Sequence, residues 1–409
     1  MNRSWFRRLL GTGVVLAGSV GIAVAALNAQ APTGQAVAPA PASSGQSLLA
    51  QAIKAEADFQ FDVATDRLYT LLLDQPGTTD ALAARLRLAK LLALSGDWPA
   101  AILECQALRD ESAADSPLRG HAIEMATALA RRLRAASGTE GSYFATFEPL
   151  QAKGLPATDE PRTIVFEGEN RFVVVDEGAG RVVRAGADAG STAQAPQEPS
   201  AATVMPDGTV LVFGKTGLSG IGTTQAVQLS GTIGGRMRQL KKVRSMAALS
   251  NGDLLVIDKD YDGLVRCRYP SGTCTAVGTV GRQRVVKVGA SDWCYLLDER
   301  GQALRVLDAN QNPIASFGPS IGTARLERVE DIAVDGVHGL YLLDRDLKRV
   351  TVVTMRAAPD GKVSGTVVGS FPVPQDGANA LKNPWAIGVA PGGSLVVAGK
   401  GAPRVMRLR

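Results

Sequence analysis

The sequence of 409 residues predicts a multidomain protein in which a small α-helical repeat precedes a six-bladed, all-β propeller. Three observations support this fold class. A strand motif recurs six times at intervals of roughly 40–50 residues, which is typical of propeller blades. Apolar residues follow a helical period between residues 48 and 133. A basic and then apolar segment opens the chain and has the features of an export signal.

The strand motif is clearest at residues 339–350, where an apolar strand ends in Asp344, and Arg349 and Val350 begin the next strand. An aspartate here can accept hydrogen bonds from backbone N–H groups of the turn and can pair with the following arginine. We therefore interpret the motif as structural. Further copies end at Asp176, Asp258 and Asp298, and two end at glycine, Gly214 and Gly399.

The second and sixth blades depart from this pattern. In the second, residues 217–222 are predicted to be a glycine-rich insertion, and the third strand is predicted at 225–229. In the sixth, the chain ends after three strands, which would leave an exposed sheet edge. We expect residues Tyr143–Phe147 to supply the missing outer strand, so that strands from both ends of the domain close the ring.

The N-terminal 29 residues form a predicted signal peptide or membrane anchor. Residues 1–8 are basic, and residues 9–27 are an uncharged apolar run of a length that suits either cleavage or retention as a membrane tether. Residues 30–46 follow as an Ala/Pro-rich linker. The segment predicts a periplasmic or other extracytoplasmic location, either released or tethered to the inner membrane by residues 9–27.

Residues 47–135 are predicted to be the helical domain. Ala64 and Ala101 lie at matching places in two helical hairpins, and Gly96-Asp97-Trp98-x-x-Ala101 is the most specific stretch. On these residues, the region of about 48–133 resembles the tetratricopeptide repeat. The resemblance implies a concave groove for a peptide or partner helix. A helical spacer or dimerisation element is the alternative, because stable arrays normally need three repeats.

Residues 136–160 are predicted to be a linker and residues 161–409 the propeller. Pro384-Trp385-Ala386-Ile387-Gly388-Val389, together with Asp344 and Arg349-Val350, makes the region of about 165–409 resemble the NHL-repeat propellers. That resemblance implies the fold. It implies no activity, because such propellers serve many functions.

Two of the four cysteines are predicted to form a disulfide. Cys267 and Cys274 flank the turn residues Pro270-Ser271-Gly272, so a hairpin would place them opposite each other in an oxidising compartment. Two free buried thiols are the alternative. Metal binding through imidazole is disfavoured, because His121 and His338 are the only histidines. In its glycine-flanked turn, His338 is expected to be solvated.

One acidic turn has the spacing of the start of a calcium loop, with Asp258, Asp260 and Asp262 followed by Gly263. The acidic ligands that would close such a loop are missing, since Arg266 and Tyr269 stand at those positions. Asp258 also belongs to the strand motif. Calcium therefore remains the alternative to a structural role, and no other cofactor is predicted.

A basic segment, residues 236–244, is predicted to lie in or near the outer strand of the second blade. It is either an edge strand protected by charge or a contact for an anionic lipid, a polysaccharide or an acidic partner. Of the net charge of +5, three units come from the N-terminal segment, so binding of nucleic acid is not predicted. The five candidate binding residues are Arg236, Arg238, Lys241, Lys242 and Arg244.

No convergent set of catalytic residues is recognisable, and no catalytic residue is predicted. The first functional hypothesis is a non-catalytic scaffold or adaptor of the bacterial cell envelope, which binds other envelope proteins or peptides through its helices and its propeller face. The alternative is a propeller hydrolase or lactonase that acts on a sugar-derived substrate with a divalent metal. Three or more converging acids or asparagines at the channel mouth would favour the enzyme.

Overall fold

The computed structural model describes residues 47–136, 147–149, 156–186, 190–223, 225–278, 281–358, 361–375, 380–401 and 404–406. Five helices precede a β-propeller, which confirms the predicted fold class. The predicted export segment and the linker at 30–46 lie outside the described residues. Across the described ranges, no helix is both long enough and apolar enough to cross a membrane.

The helices begin and end at residues suited to those positions. Thr78 and Asp97 each accept a hydrogen bond from a backbone N–H in the first turn of the following helix, at 3.2 and 3.1 Å. Gly96 adopts the left-handed conformation, with φ +89°, and ends the third helix. The five helices are α1 (Leu48–Ala57), α2 (Phe61–Asp74), α3 (Thr79–Ser95), α4 (Trp98–Glu111) and α5 (Pro117–Ala136).

Small side chains let successive helices pack closely. Ala64, Ala84 and Ala101 are fully buried where α2, α3 and α4 meet their neighbours. Leu68 and Leu88 fill the space around the first two alanines. Each helix contacts the next one along the chain, so the module is a series of packed hairpins.

The strands follow the helices in regular succession, and the second strands of the sheets coincide with the predicted motif copies. They are β1 (Phe147–Pro149), β2 (Pro161–Gly168), β3 (Arg171–Asp176), β4 (Arg181–Gly186), β5 (Gly190–Ala193), β6 (Ala201–Val204), β7 (Val210–Gly214), β8 (Gly217–Gly220), β9 (Ser230–Ile233), β10 (Arg236–Gln239), β11 (Val243–Ala248), β12 (Leu254–Asp258), β13 (Leu264–Arg268), β14 (Thr273–Ala276), β15 (Gln283–Val288), β16 (Cys294–Asp298), β17 (Leu304–Leu307), β18 (Pro313–Phe317), β19 (Ser320–Ile321), β20 (Ala324–Arg325), β21 (Val329–Val334), β22 (Gly339–Asp344), β23 (Arg349–Ala357), β24 (Val363–Pro372), β25 (Lys382–Val389), β26 (Leu395–Lys400) and β27 (Arg404–Met406).

Successive strands pair antiparallel in most sheets. The sheet orders are β2-β3-β4-β5, β6-β7-β8, β15-β16-β17-β18, β21-β22-β23-β24 and β25-β26-β27-β1, with β19-β20 as a separate pair. A larger sheet has the order β11-β12-β13-β14-β9-β10. The first strands of these sheets contact one another in the order β2, β6, β11, β15, β21, β25 and back to β2, and so surround a central channel.

The motif aspartates hold each sheet to the segment that leads into it. The Asp344 carboxylate accepts the N–H groups of Asp346 and Leu347 at 3.1 and 3.0 Å, as the motif predicts. It also accepts the N–H of Glu327, just before β21, at 2.9 Å. Asp176 likewise accepts the N–H of Glu160 at 2.9 Å. These bonds account for the repeated aspartate as a structural group.

The predicted third strand of the second blade, at 225–229, is wrong. The third strand is β8, which lies inside the segment predicted as an insertion. Gly217 permits the tight turn from β7, with φ +110°. The later segment contributes a single bridge, in which Leu218 and Val227 exchange backbone hydrogen bonds at 2.9 and 2.7 Å.

The basic segment is also displaced from its predicted place. Strands β9 and β10 form a hairpin that leaves the β6-β7-β8 sheet and joins the next one, where β9 pairs with β14 in parallel. Gly231 allows this close approach, because a Cβ there would lie 1.8 Å from the carbonyl oxygen of Cys274. Arg236 and Arg238 therefore lie on the outermost strand of the larger sheet.

Strands from both ends of the propeller share one sheet. β1 pairs antiparallel with β27, with Phe147 opposite Met406. Of the predicted closing segment Tyr143–Phe147, only Phe147 belongs to the described residues, and it begins this strand. The ring is thus closed by one strand that precedes the other propeller strands in the sequence and one strand that follows them.

Cys267 and Cys274 lie opposite each other on β13 and β14 and form a disulfide. Both cysteines are buried, and Cys274 lies opposite Gly231 of the neighbouring strand β9. Cys105 and Cys294 are free and buried, and burial raises the pKa of each thiol to about 12.

We expect the double substitution Cys267→Ala/Cys274→Ala to lower the free energy of unfolding by about 2–3 kcal/mol, because the cross-link restricts a short loop of the unfolded chain. Urea unfolding of the oxidised protein and the variant measures the difference. A reductant should bring the wild type to the stability of the variant and leave the variant unchanged. Equal stability of all three samples would contradict the expectation.

Candidate functional site

Helix α5 docks on the propeller through a buried ion pair. The guanidinium of Arg132 contacts the carboxylate of Asp335, and both side chains are almost completely buried. Arg132 also donates to the carbonyl oxygen of Val337 at 2.7 Å, and Tyr341 donates to Asp335 at 3.1 Å. A Cβ at Gly339 would collide with the guanidinium, so this turn is shaped around the arginine.

His338 lies beneath this helix and is 1% exposed, so the predicted solvated turn histidine is wrong. Its ring contacts Trp293 edge-on, with 4.9 Å between centroids, and its Nδ1 lies 3.5 Å from the hydroxyl of Tyr295. Burial lowers the pKa of His338 to about 3. The turn is polar in sequence, but the docked helix removes it from solvent.

The helices and the propeller share apolar cores. Phe59 and Leu94 pack against Trp293 in one cluster, and Met125 and Leu129 pack with Val337 in another. The guanidinium of Arg356 lies over the ring of Trp98 at 5.3 Å. The helical module is therefore held as a fixed part of the propeller face.

A cavity of about 590 Å³, which we call the junction cleft, opens between the two modules. Helices α1 and α3 form one wall, and propeller turns around Ser250, Trp293 and Asn310 form the other. Much of the lining is apolar, with Ile53 and Leu86 on the helical side. Clefts of this kind between domains are common binding sites.

Charged groups converge at one end of the junction cleft. Glu56 pairs with Arg87 at 2.9 Å and accepts a hydrogen bond from the Ser291 hydroxyl at 2.5 Å. Asp292 is held by the backbone N–H and the hydroxyl of Ser250, at 2.8 and 2.5 Å. The bond between Ser291 and Glu56 joins the propeller wall to the helical wall, whereas the Asp292 contacts join two turns of the propeller.

Lys90 is the least satisfied charge in the junction cleft. Within the described part of the chain, no carboxylate lies at ion-pair distance from its ammonium group. Burial lowers the pKa of Lys90, and the nearby guanidinium of Arg87 lowers it further, whereas Glu56 and Asp292 oppose the shift. A bound anion would compensate this partly buried cation.

The central channel opens beside the junction cleft. Its cavity, of about 310 Å³, is lined by the ends of the inner strands and by His121, Glu124 and Met125 of α5, which covers this mouth. Lys287 and Asp331 form an ion pair in the channel wall at 3.5 Å. The remaining lining is largely apolar and includes Ile164, Phe166, Val204, Met246, Val288, Val334 and Val389.

The ionisable groups of the channel are shifted mainly by burial. Burial raises the pKa of Asp331, and Lys287 and the N–H of Ile387 act against it. Burial also raises the pKa of Glu124 and lowers that of His121. Among the residues that the structure describes, no group of three or more His, Cys, Asp or Glu side chains could hold a metal ion.

At the opposite end of the channel, side chains join neighbouring sheets. Register breaks at the start of β15 and β21 project Arg284 and Glu330, whose side chains form a buried ion pair. Arg328 and Arg345 also pair with Glu330, at 2.8 and 3.4 Å. This end is a structural seam, because its charges are engaged between sheets.

The structure does not bring the three predicted calcium ligands together. Asp258 is buried and accepts the backbone N–H groups of Lys242 and Asp260 at 2.9 and 2.8 Å. Asp260 pairs with Lys242 at 3.0 Å, and Asp262 pairs with Arg282 at 2.8 Å. The acidic turn is thus used for strand connection and surface ion pairs.

The predicted basic residues lie in three different places. Arg244 pairs with Glu299 at 2.7 Å and belongs to the start of β11. Arg236 and Arg238 are on β10, while Lys241 and Lys242 line a separate cleft at the propeller rim. The sequence therefore identified part of a charged surface but placed it in the wrong sheet.

Two residues that shape the junction, Lys90 and Arg132, were not predicted. For Arg132 a signal exists, because it stands seven residues after the buried Met125, on the apolar face of α5. An arginine on such a face requires a buried partner. Lys90 offers no such signal, since only the docked propeller encloses it.

No protein-family model matches the chain, and no curated protein matches it. Solved structures match about two thirds of the chain. A gluconolactonase from Xanthomonas campestris is 12% identical over 66% of this chain and 93% of its own, with a TM-score of 0.46. A virginiamycin B lyase from Staphylococcus aureus is 11% identical over 61% and 95%, with a TM-score of 0.42. An auxiliary nutrient binding protein from Bacteroides thetaiotaomicron is 10% identical over 62% and 70%, with a TM-score of 0.42. Similarity at this level does not indicate what this chain binds or catalyses.

Proposed function

We propose that this protein is a non-catalytic scaffold that binds a partner peptide in the junction cleft. The proposal takes the helices as a tetratricopeptide-like module and the sheets around the channel as six NHL-like blades. The ring of first strands from β2 to β25 and the glycine turn before α4 support this description. Each module contributes one wall of the binding site.

The observation that carries the proposal is the composite nature of the cleft. Neither the helices nor the propeller forms it alone, and the Arg132–Asp335 pair fixes their relative position. A site that is already assembled binds without the cost of ordering its two walls. The shared apolar cores support the same preorganisation.

The chemistry of the junction cleft favours an apolar segment that ends in a carboxylate or carries an acidic residue. Ile53, Phe59 and Leu86 provide apolar contact surface. Lys90 supplies positive charge in the cleft, where the carboxylates of Glu56 and Asp292 are already engaged by Arg87 and by serine side chains. A peptide with both features would bury apolar area and compensate Lys90.

We further propose that the protein works outside the cytoplasm, in the bacterial envelope. The N-terminal sequence pattern supports export. The disulfide between Cys267 and Cys274 supports an oxidising compartment.

A photo-crosslinking amino acid at Leu86 tests the proposal in the full chain, expressed in its native envelope. We expect a discrete adduct from Leu86, which lines the cleft, and none from Leu73, which is 81% exposed elsewhere on the helices. Lys90→Glu should reduce the Leu86 adduct at least about tenfold, because it replaces the compensating cation by a repelling carboxylate. An adduct that Leu73 also forms, or that Lys90→Glu leaves unchanged, would contradict the proposal.

An activity assay on the purified full chain tests the lactonase alternative. Sugar lactones are incubated with the purified protein, with and without calcium or magnesium. Turnover that depends on the cation and is lost in Asp331→Asn would establish the enzyme and displace the scaffold proposal. We expect no turnover above that of a heat-denatured sample.

A further inference from the structure

A second cleft, at the propeller rim, results from the displaced hairpin of β9 and β10. In the described part of the second sheet, β8 is the last strand of the ladder, because the hairpin joins the neighbouring sheet instead. The space between these two sheets is a cleft of about 700 Å³. We call it the rim cleft, and its charged lining residues are Glu177, Glu198, Lys215, Lys241, Lys242 and Lys259.

The walls of the rim cleft are fixed by backbone contacts that tolerate little movement. A Cβ at Gly231 or Gly272 would collide with backbone on the facing segment, at 1.8 and 2.2 Å. The Cys267–Cys274 disulfide ties β14, the strand that pairs with β9, to β13. The cleft is therefore a rigid part of the sheet and not a gap between mobile loops.

Four lysines and two glutamates line the rim cleft, and Lys242 is also paired with Asp260, outside the lining, at 3.0 Å. The net positive charge at the cleft is therefore carried mainly by Lys241. Lys215 pairs with Glu198 at 2.7 Å, and Lys259 lies 3.8 Å from Glu177. These side chains are largely exposed, and pairs of this kind contribute little. Lys241 has no carboxylate at ion-pair distance within the described ranges. An incoming polyanion can therefore replace the existing partners.

The uncharged lining argues against a peptide or a lipid as the occupant. Its large apolar side chains, Phe213, Leu240 and Val243, are all less than 5% exposed and offer no surface for a hydrophobic anchor. Gln228 and Gln239 are exposed and hydrogen-bond each other, and Gln228 also donates to the carbonyl oxygen of Thr216 at 2.7 Å. Each amide keeps one further N–H and an acceptor lone pair, which suit hydroxyl-rich ligands. Peptide recognition normally depends on buried apolar anchors, which this cleft cannot accommodate.

We infer that the rim cleft binds a carboxylated polysaccharide. The lysines attract the carboxylates, and the remaining donor and acceptor positions of the two glutamine amides bond the sugar hydroxyl groups. This site is separate from the junction cleft, whose lining shares no residue with it. The inference does not rest on the proposed function and extends it, because one chain would join a polymer and a protein partner.

Calorimetric titration of the purified chain with a short oligogalacturonate at low ionic strength tests the inference. We expect saturable binding that weakens as salt is raised to 0.1 M, where the screening length falls to about 10 Å. Lys241→Glu/Lys259→Glu should weaken binding at least about tenfold, and Lys241→Gln/Lys259→Gln should weaken it less. The matched control, Lys54→Glu/Lys400→Glu, reverses two exposed lysines outside the cleft and should leave affinity unchanged.

Three outcomes would overturn the inference. The first is an absence of oligogalacturonate binding by the wild type at low salt. The second is an equal loss of affinity in the control variant, which would indicate net charge alone. The third is tighter binding of polyglutamate or of phosphatidylglycerol vesicles than of the oligosaccharide. Neutral dextran should not bind. Because the four substituted lysines are all exposed, near-identical unfolding curves are expected for every variant.

Discussion

Arg132→Met is expected to lower the free energy of unfolding by about 3–5 kcal/mol, because it leaves the Asp335 carboxylate buried without its countercharge. The substitution keeps most of the apolar stem of Arg132. The loss of stability therefore measures the removal of the charge and not the creation of a cavity. The carbonyl oxygen of Val337 also loses its 2.7 Å hydrogen bond.

Urea unfolding and hydrogen exchange together measure this effect. In Arg132→Met, amide protection should fall first in α5 and in the turn around His338, and much less in β16. The double variant Arg132→Met/Asp335→Asn should recover part of the loss, since no unpaired charge remains. Arg67→Met, at an exposed position on α2, is the matched control and should be neutral. A neutral Arg132→Met would show that apolar packing alone docks the helix.

The propeller strands were largely predictable, because their signal is local. Most second strands are short apolar runs that end in aspartate or glycine, and β22 ends at Asp344 as the motif predicts. The aspartate bonds themselves are short-range in β22, where Asp344 meets Asp346 and Leu347. A pattern contained within about ten residues can be interpreted correctly from the sequence, because the structure that it predicts does not depend on distant parts of the chain.

The displaced hairpin could not be predicted from local pattern. β9 and β10 have the strand length and the Gly234-Gly235 turn of an ordinary hairpin. The residues of this hairpin do not determine which sheet it joins. That choice depends on the parallel pairing of β9 with β14, some forty residues later in the chain. The rim cleft follows from this pairing, so the sequence predicted Lys241 and Lys242 as binding residues but did not predict Lys215 and Lys259 beside them.

The junction cleft could not be predicted from the sequence for a related reason. Its walls come from α1 and α3 on one side and from propeller turns more than 150 residues later on the other. The predicted groove lay on the helices alone, and the predicted solvated histidine lay on the propeller alone. Docking of α5 changes both environments at once, which makes Lys90 and His338 the residues that report on the junction.

Acid is expected to destabilise the junction through His338. Its folded pKa is about 3 because the ring is buried, whereas an unfolded histidine has a pKa near 6.5. Between these values the unfolded chain binds a proton that the folded chain excludes, so the free energy of unfolding falls as the pH falls. At about 1.4 kcal/mol per pH unit, the loss from pH 6.5 to pH 4 is about 3 kcal/mol.

Comparison of the wild type with His338→Asn isolates this contribution from that of other acidic groups. Asparagine tolerates the left-handed backbone at this position, where φ is +59°. The variant should be less stable at pH 7, because it loses the contact with Trp293, but the difference between the two proteins should shrink by about 3 kcal/mol on acidification to pH 4. His121→Asn, at a more exposed ring, should change the pH dependence less. If the difference in the free energy of unfolding stays constant between pH 7 and pH 4, His338 binds a proton in the folded protein as readily as in the unfolded chain. Water would then have to reach His338 within the buried junction.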